Sequence, residues 1–444
     1  MKREETDRAR RLGGSRSFRL RLFLLGVPVG CAAGLSVALY RFLIDEAEAA
    51  HAALYVSELI PSAEAGRYFP VFLWCAALCV LAFLLARSVS WEPQARGSGI
   101  PQVKGILEGR GAMRPFRVLL VQIFGGALAI GAGMSLGHAG PAVQIGAASG
   151  SGLASILRRR PIEGRYFLTS GAAAGLSAVF NAPLSGILFC LEVLHKKWAS
   201  AILLPAMSAS VTAAIVIRAC FGDATIFLFR HTESIPPVHL PFVCLIGMVC
   251  GICAIPFNFG ITHGRGFLNR FLPWKHPAAP ILFALVLAAL FGFFAPMLMG
   301  GGNRLVNFII EENPAFLFIV LCVVGKSLYT FICFGSGVPG GFFFPSLVVG
   351  ALIGAATGAP LIALGIVAPE TVTNVMILSM AAFLAATVRA PITAIVLLLE
   401  LTGTFHHLMP LALAVSVAYV TSGLLGGRGV YDELMRGCAD ARMR

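Results

Sequence analysis

Apolar residues fill long stretches of this chain, and polar residues gather in the short breaks between them. The apolar runs fall at roughly 22–43, 69–87, 117–137, 141–157, 166–195, 200–221, 240–262, 278–299, 314–334, 342–367, 372–403 and 408–426. A helix needs about 20 apolar residues to cross a bilayer upright. Several runs are shorter, and others are interrupted by Gly or Pro. The pattern predicts an all-α polytopic membrane protein of tilted, broken and re-entrant helices. Composition agrees: 57% of the 444 residues are hydrophobic and 12% are charged, where a soluble domain carries about 25% charged residues.

The breaks carry more information than the runs. Three of them are glycine-proline loops that open an apolar segment: Gly97-Ser98-Gly99-Ile100-Pro101, Gly137-His138-Ala139-Gly140-Pro141 and Gly340-Gly341-Phe342-Phe343-Phe344-Pro345. Irregular backbone at bilayer depth is tolerated only where protein buries it or it lines a cavity. Glycine lets the chain turn and expose its amides. Proline just inside the next segment starts a helix without losing a needed donor. Such loops aim helix N-terminal N–H groups at one point, which suits an anion. From Val118 to Leu157, and from Ser327 to Pro369, there is no Asp, Glu, Lys or Arg. A site built there must use amides, hydroxyls and helix ends. That suits conduction, because a bare buried ion costs tens of kcal/mol while a site that binds too firmly will not release it.

The net charge of +13, from 34 basic and 21 acidic residues, concentrates between Lys2 and Arg21 and at Arg158, Arg159 and Arg160. These charges flank apolar runs, so they read as positive-inside determinants that place the N-terminus in the cytoplasm. A nucleic-acid partner is excluded on the same ground. Arg10-Arg11 fits a cytoplasmic flank better than a twin-arginine signal. The eleven cysteines are scattered and mostly lie inside apolar runs. Cys250-Gly251-Ile252-Cys253 has no second pair or histidine cluster and reads as helix packing rather than metal binding. His406-His407 follows a run end and reads as interfacial. No metal, cofactor, disulfide framework or soluble C-terminal domain is expected.

The chain also repeats itself. Asn181-Ala182-Pro183 through Glu192 matches Arg389-Ala390-Pro391 through Glu400, with Ala-Pro and the final Glu in register at an offset of 208 residues. Gly140-Pro141 followed by Gly146 and Gly150 is echoed by Phe344-Pro345 followed by Gly350 and Gly354. Two halves with broken helices meeting near the midplane are a transporter and channel signature.

Taken together, the loops resemble the signature motifs of the CLC family of chloride channels and proton/chloride antiporters. Gly97–Pro101 matches the family's G-S-G-I-P, and Gly340–Pro345 matches its G-G-x-F-x-P. Gly137–Pro141 stands where the family has G-R-E-G-P, and Gly426 to Tyr431 resembles the segment with its pore tyrosine. The resemblance implies a homodimer with one pore per subunit, each built from two inverted repeats. It implies a transmembrane domain over 22–436, with repeats at about 69–222 and 278–426. A basic segment would occupy 1–21 and a short cytoplasmic tail 437–444. Chloride would meet the Ser98 hydroxyl, the amides of Phe342 and Phe343, and the Tyr431 hydroxyl. Gly97, Gly99, Ile100, Pro101, Gly137, His138, Ala139, Gly140, Pro141, Gly341, Phe344 and Pro345 would form the filter loops. Serine at position 98 favours chloride over nitrate, and over fluoride, in this resemblance. A bacterial inner membrane is the expected location, with both termini cytoplasmic.

Two departures stand out. The family's gating glutamate corresponds to Ala139, with His138 in place of the preceding arginine. The inner proton glutamate corresponds to Val193, one residue past Glu192 and so rotated about 100° on a helix. The resulting expectation is passive chloride conduction, not stoichiometrically coupled to protons. The alternative is a proton/chloride antiporter with a path rerouted through His138 or Glu192. Lys326, inside an apolar run, either biases the pore toward anions or pairs with a carbonyl at a helix end. An intramembrane enzyme would need a nucleophile–base pair or metal ligands, which the uncharged stretches do not supply. A non-transporting receptor or scaffold is the remaining class, and failure of anion flux would favour it.

Overall fold

A computed structural model describes residues 16–222, 236–271, 276–363, 365 and 371–443; most of the basic segment 1–21 lies outside the described residues. The helices are α1 (Arg16–Leu54), α2 (Phe69–Trp91), α3 (Ile100–Leu107), α4 (Pro115–Gly131), α5 (Ala139–Ile156), α6 (Pro161–Phe180), α7 (Pro183–His195), α8 (Ser200–Phe221) and α9 (Leu240–Phe271). They continue as α10 (Ala279–Phe294), α11 (Asn303–Glu312), α12 (Phe316–Gly335), α13 (Phe343–Ala363), α14 (Val372–Val388), α15 (Pro391–Thr402), α16 (Leu408–Leu424) and α17 (Val430–Met443). Among the described residues, seven helices are long and apolar enough to cross a membrane, and α4, α7, α10, α14 and α15 are apolar but shorter. The all-α architecture of broken helices is therefore as the sequence pattern predicts.

The breaks have local causes. The apolar run 166–195 splits where Asn181 takes a left-handed conformation (φ 53°) and Pro183 opens α7. The run 372–403 splits the same way at Arg389 (φ 64°) and Pro391. A left-handed residue ends a helix, and a proline two residues later can only begin another. The run 22–43, by contrast, extends into a helix of 39 residues, about 58 Å long and so longer than an upright span.

Packing then joins the elements. Helices α5 and α6 touch backbone to backbone: a Cβ on Gly146 would collide with the Gly171 carbonyl, and one on Gly171 with that of Gly146. The two halves are also tied by an exchange of carboxylates. Glu192 on α7 accepts from the N–H groups of Ile392 (3.1 Å) and Thr393 (2.7 Å) and from the Thr393 hydroxyl (2.6 Å) at the start of α15. Glu400 on α15 accepts from Leu184 N–H (2.9 Å), Ser185 N–H (2.7 Å) and the Ser185 hydroxyl (2.5 Å) at the start of α7. The repeat seen in the sequence is thus a reciprocal capping device.

Cys250 is buried, Cys253 is half-buried, and both are free thiols. No group of three His, Cys, Asp or Glu side chains among the described residues is placed to hold a metal. His406 and His407 lie in the turn between α15 and α16, where His407 is 1% exposed with Nδ1 3.2 Å from the Thr404 hydroxyl. A short 3₁₀ turn over Phe405–His407 rotates His407 inward while Phe405 and His406 stay exposed.

Candidate anion site at the meeting of three loops

The three glycine-proline loops meet. Gly97 N–H donates to the Val338 carbonyl at 3.1 Å, and Gly340 N–H donates to the Gly97 carbonyl at 3.1 Å. Gly137 and Gly341 exchange N–H···O bonds of 2.6 and 2.8 Å. The third loop therefore laces the first and the middle loops together. From this junction start α3, α5 and α13, and α17 starts beside it. Ser98 and Tyr431 are each 2% exposed. Neither hydroxyl has a protein hydrogen-bond partner. The first amides of a helix have no partner within it, and those of Phe342 and Phe343 at the start of α13 fall in this class. The rings of Phe342 and Phe343 are core: Phe342 lies 5.2 Å from Tyr431 and 5.2 Å from Phe334, and Phe343 lies 5.7 Å from Phe180.

Ser98 and Tyr431 are kept in register by a tether that the sequence reading missed. Asp432, next to Tyr431, bonds Lys104 of α3 and Lys196 just beyond α7, each at 2.5 Å. Burial pushes the Asp432 carboxyl up, but the hydrogen bonds and charges of the two lysines outweigh this and hold it below the usual carboxylate range. The signal was present: Lys104 is a lone cation in the helix that follows Ser98, and it needs a partner.

Ala139 is fully buried at the first turn of α5. Val193 is buried in α7, and the neighbouring Glu192 is spent on the start of α15. His138 packs between Phe344 (5.0 Å between centroids) and Phe180 (6.2 Å) and lines a cavity of about 360 Å³ with Arg41, Glu48, His51 and Arg304. A second cavity, about 400 Å³, is lined by Glu192, Lys196, Arg389, Arg428 and by Asp432, the residue after Tyr431. The charged lining of the first cavity comes largely from α1, where Arg41, Asp45 and Glu48 recur at helical spacing. That spacing within an apolar helix was a readable signal of a polar face.

Lys326 resolves toward its second reading. It is fully buried, and its ammonium donates to the carbonyls of Leu298 (2.9 Å) and Gly300 (2.7 Å). Gly300 N–H in turn donates to the Gly133 carbonyl, as does the Tyr329 hydroxyl, while Ser135 and Thr330 share a 2.9 Å bond. Helix α12 thereby fixes the backbone that leads into the middle loop.

Comparison with known proteins identifies the family. A family model described as voltage gated chloride channel matches residues 75–423. The chain belongs to the CLC family. The H(+)/Cl(-) exchange transporter ClcA of Vibrio cholerae is 35% identical over 387 residues, covering 84% of this chain and 81% of that protein. ClcA of Klebsiella pneumoniae is 34% identical over 370 residues, covering 82% and 78%. Among solved structures, a slow cyanobacterial Cl-/H+ antiporter superposes with a TM-score of 0.85 at 28% identity, covering 96% of this chain and 99% of that one. A CLC-type fluoride/proton antiporter at 21% identity shares the CLC fold, with a TM-score of 0.75 over 92% of this chain and 96% of its own. The names of these CLC relatives speak for exchange and do not support the passive reading drawn from Ala139 and Val193.

Proposed function

We propose that this CLC protein moves chloride across the membrane through the loop junction, with Ser98 and Tyr431 donating hydroxyls and the helix starts at Phe342 and Phe343 donating amides. The observation that carries this is the pair of buried, unpartnered hydroxyls where the laced loops open into helices. Each O–H can donate to a dehydrated halide, and helix ends of about half a unit charge hold it without trapping it. His138 would stand at the outer approach and Asp432 at the inner one. The protein would act as a homodimer, as the resemblance implies.

On coupling, this chain's own residues favour uncoupled transport. Ala139 cannot titrate or compete with chloride, Val193 cannot carry a proton, and both oxygens of Glu192 are engaged. The second reading, proton-coupled exchange, draws its support from the relatives, which are named as exchangers. Simultaneous chloride and proton recording on proteoliposomes separates them. Chloride flux that leaves protons at equilibrium supports the uncoupled reading. Uphill proton movement driven by a chloride gradient refutes it and establishes exchange.

A further inference from the structure

Four consecutive backbone carbonyls before Ser98 are each taken by a different donor. Gln144 Nε2 holds the Gln94 carbonyl (2.8 Å), and Gln122 Nε2 holds that of Ala95 (3.1 Å). Gln102 Nε2 holds that of Arg96 (2.7 Å), and Gly340 N–H holds that of Gly97 (3.1 Å). Gln122 Nε2 also donates to Gln144 Oε1. Gln122 and Gln144 are fully buried, on α4 and α5. Gly99 belongs to the same arrangement. Its φ is 77°, and a Cβ there would lie 2.5 Å from Gln144 Oε1, so only glycine lets α5 approach so closely.

The chemical consequence follows from the planar trans peptide, in which the carbonyl of one residue points opposite to the N–H of the next. Holding three of these carbonyls on glutamines of α3, α4 and α5, and the fourth on Gly340, leaves none of the four free to turn toward an anion. The Gly97 carbonyl, held by Gly340, directs Ser98 N–H to the other side. A free carbonyl swinging toward the junction would repel an anion. Glutamine suits the task because it donates without charge. A lysine or arginine here would put a full positive charge beside the ion and slow its release.

We propose that Gln144, Gln122 and Gln102 are positioning residues that set anion selectivity by clamping the Ser98 loop, because donors held at fixed positions suit one anion size and shape and a loosened loop discriminates less. This rests on the chloride reading above. The test measures the chloride-to-nitrate flux ratio in proteoliposomes for Gln144→Met and Gln102→Met. The control is Ser177→Ala, which removes a buried 2.7 Å bond to the Ser210 carbonyl between α6 and α8. The ratio should fall about three- to tenfold in both glutamine variants, the scale of one lost hydrogen bond, and stay constant in the control. Should Gln144→Met not fold, the half-buried Gln102 decides alone. An unchanged ratio in folded glutamine variants, or an equal fall in the control, overturns the clamp. Calorimetric titration of detergent-solubilised protein with chloride and with nitrate gives the same ratio without transport. Absence of chloride flux from the unmodified protein therefore counts against the function reading and still leaves the clamp decidable.

Discussion

The exchange of glutamates between the two halves yields the sharpest prediction, because it contains its own control. Removing Glu192 as Glu192→Ala deprives the start of α15 of three hydrogen bonds, from Ile392 N–H, Thr393 N–H and the Thr393 hydroxyl. A hydrogen bond to a charged group is worth about 1.5–3 kcal/mol net, and a carboxylate at a helix start adds about 0.3–1 kcal/mol. The site is only half-buried, and water will replace part of the loss, so about 2–4 kcal/mol is expected. Glu400→Ala strips the matching three bonds from α7 and should cost the same within about 1 kcal/mol. Glu192→Gln keeps one good acceptor and should cost about half as much. Thermal unfolding in detergent reads the stability, and parallel chloride and proton recordings read the transport. All these variants should leave the chloride-to-proton relation of the unmodified protein unchanged. The reasoning fails if Glu192→Gln changes proton movement while Glu400→Gln, equally destabilised, does not. That asymmetry would make Glu192 a proton carrier and revive the rerouted antiporter.

Other outcomes follow from the same geometry. Ala139→Glu should slow chloride flux at neutral pH by at least about tenfold, with recovery as pH falls through the ordinary glutamate range near 4.3; a pH-independent, unslowed rate would show that position 139 does not face the ion. Ser98→Ala and Tyr431→Phe should each weaken calorimetric chloride binding about three- to tenfold, one donor's worth, with little change in melting temperature because neither hydroxyl has a protein partner to lose. The Asp432 tether should fail in acid. Its folded carboxyl lies below the unfolded value of about 3.9, so its contribution is present above that value and is lost as pH drops through the folded value. A melting-temperature decline below about pH 4 should be shallower in Asp432→Asn, and identical acid slopes would dismiss the tether.

Much of the arrangement could be read before any coordinates. The loops announced themselves through Gly and Pro, whose backbone limits are local, and the repeat through Ala-Pro and a terminal Glu in register. Ser98, Phe342, Phe343 and Tyr431, far apart in the chain, are brought to one junction. What stayed hidden depends on partners. Glu192 was legible as a departure from the family's proton position, but its engagement requires α15 to be docked against α7. That His407 is buried while His406 is exposed depends on a 3₁₀ turn, and dipeptide composition says nothing of that turn. The glutamines gave no signal, since a buried Gln is only meaningful once the carbonyl it holds is known.

Two kinds of helix start, those at the glutamate joints and those at the loop junction, differ in a way that bears on Ala139. At α7 and α15 the first amides are consumed by Glu400 and Glu192. At α3 and α5 no side chain caps the first turn, and both starts lie at the loop junction with that of α13. A proline-opened helix thus forms a structural joint where a carboxylate fills it, and at the loop junction the amides that no side chain takes would serve the proposed anion site. A glutamate at position 139 would convert α5 from the second kind to the first by supplying its own junction with a carboxylate. Alanine keeps those amides available to a mobile ion. On this logic the residue at 139 need not change the fold to change transport, and an Ala139→Glu protein should melt no lower than the parent while conducting more slowly. A large loss of stability on that substitution would show that the junction tolerates no carboxylate, and that its open amides have a structural rather than an anion-carrying cause.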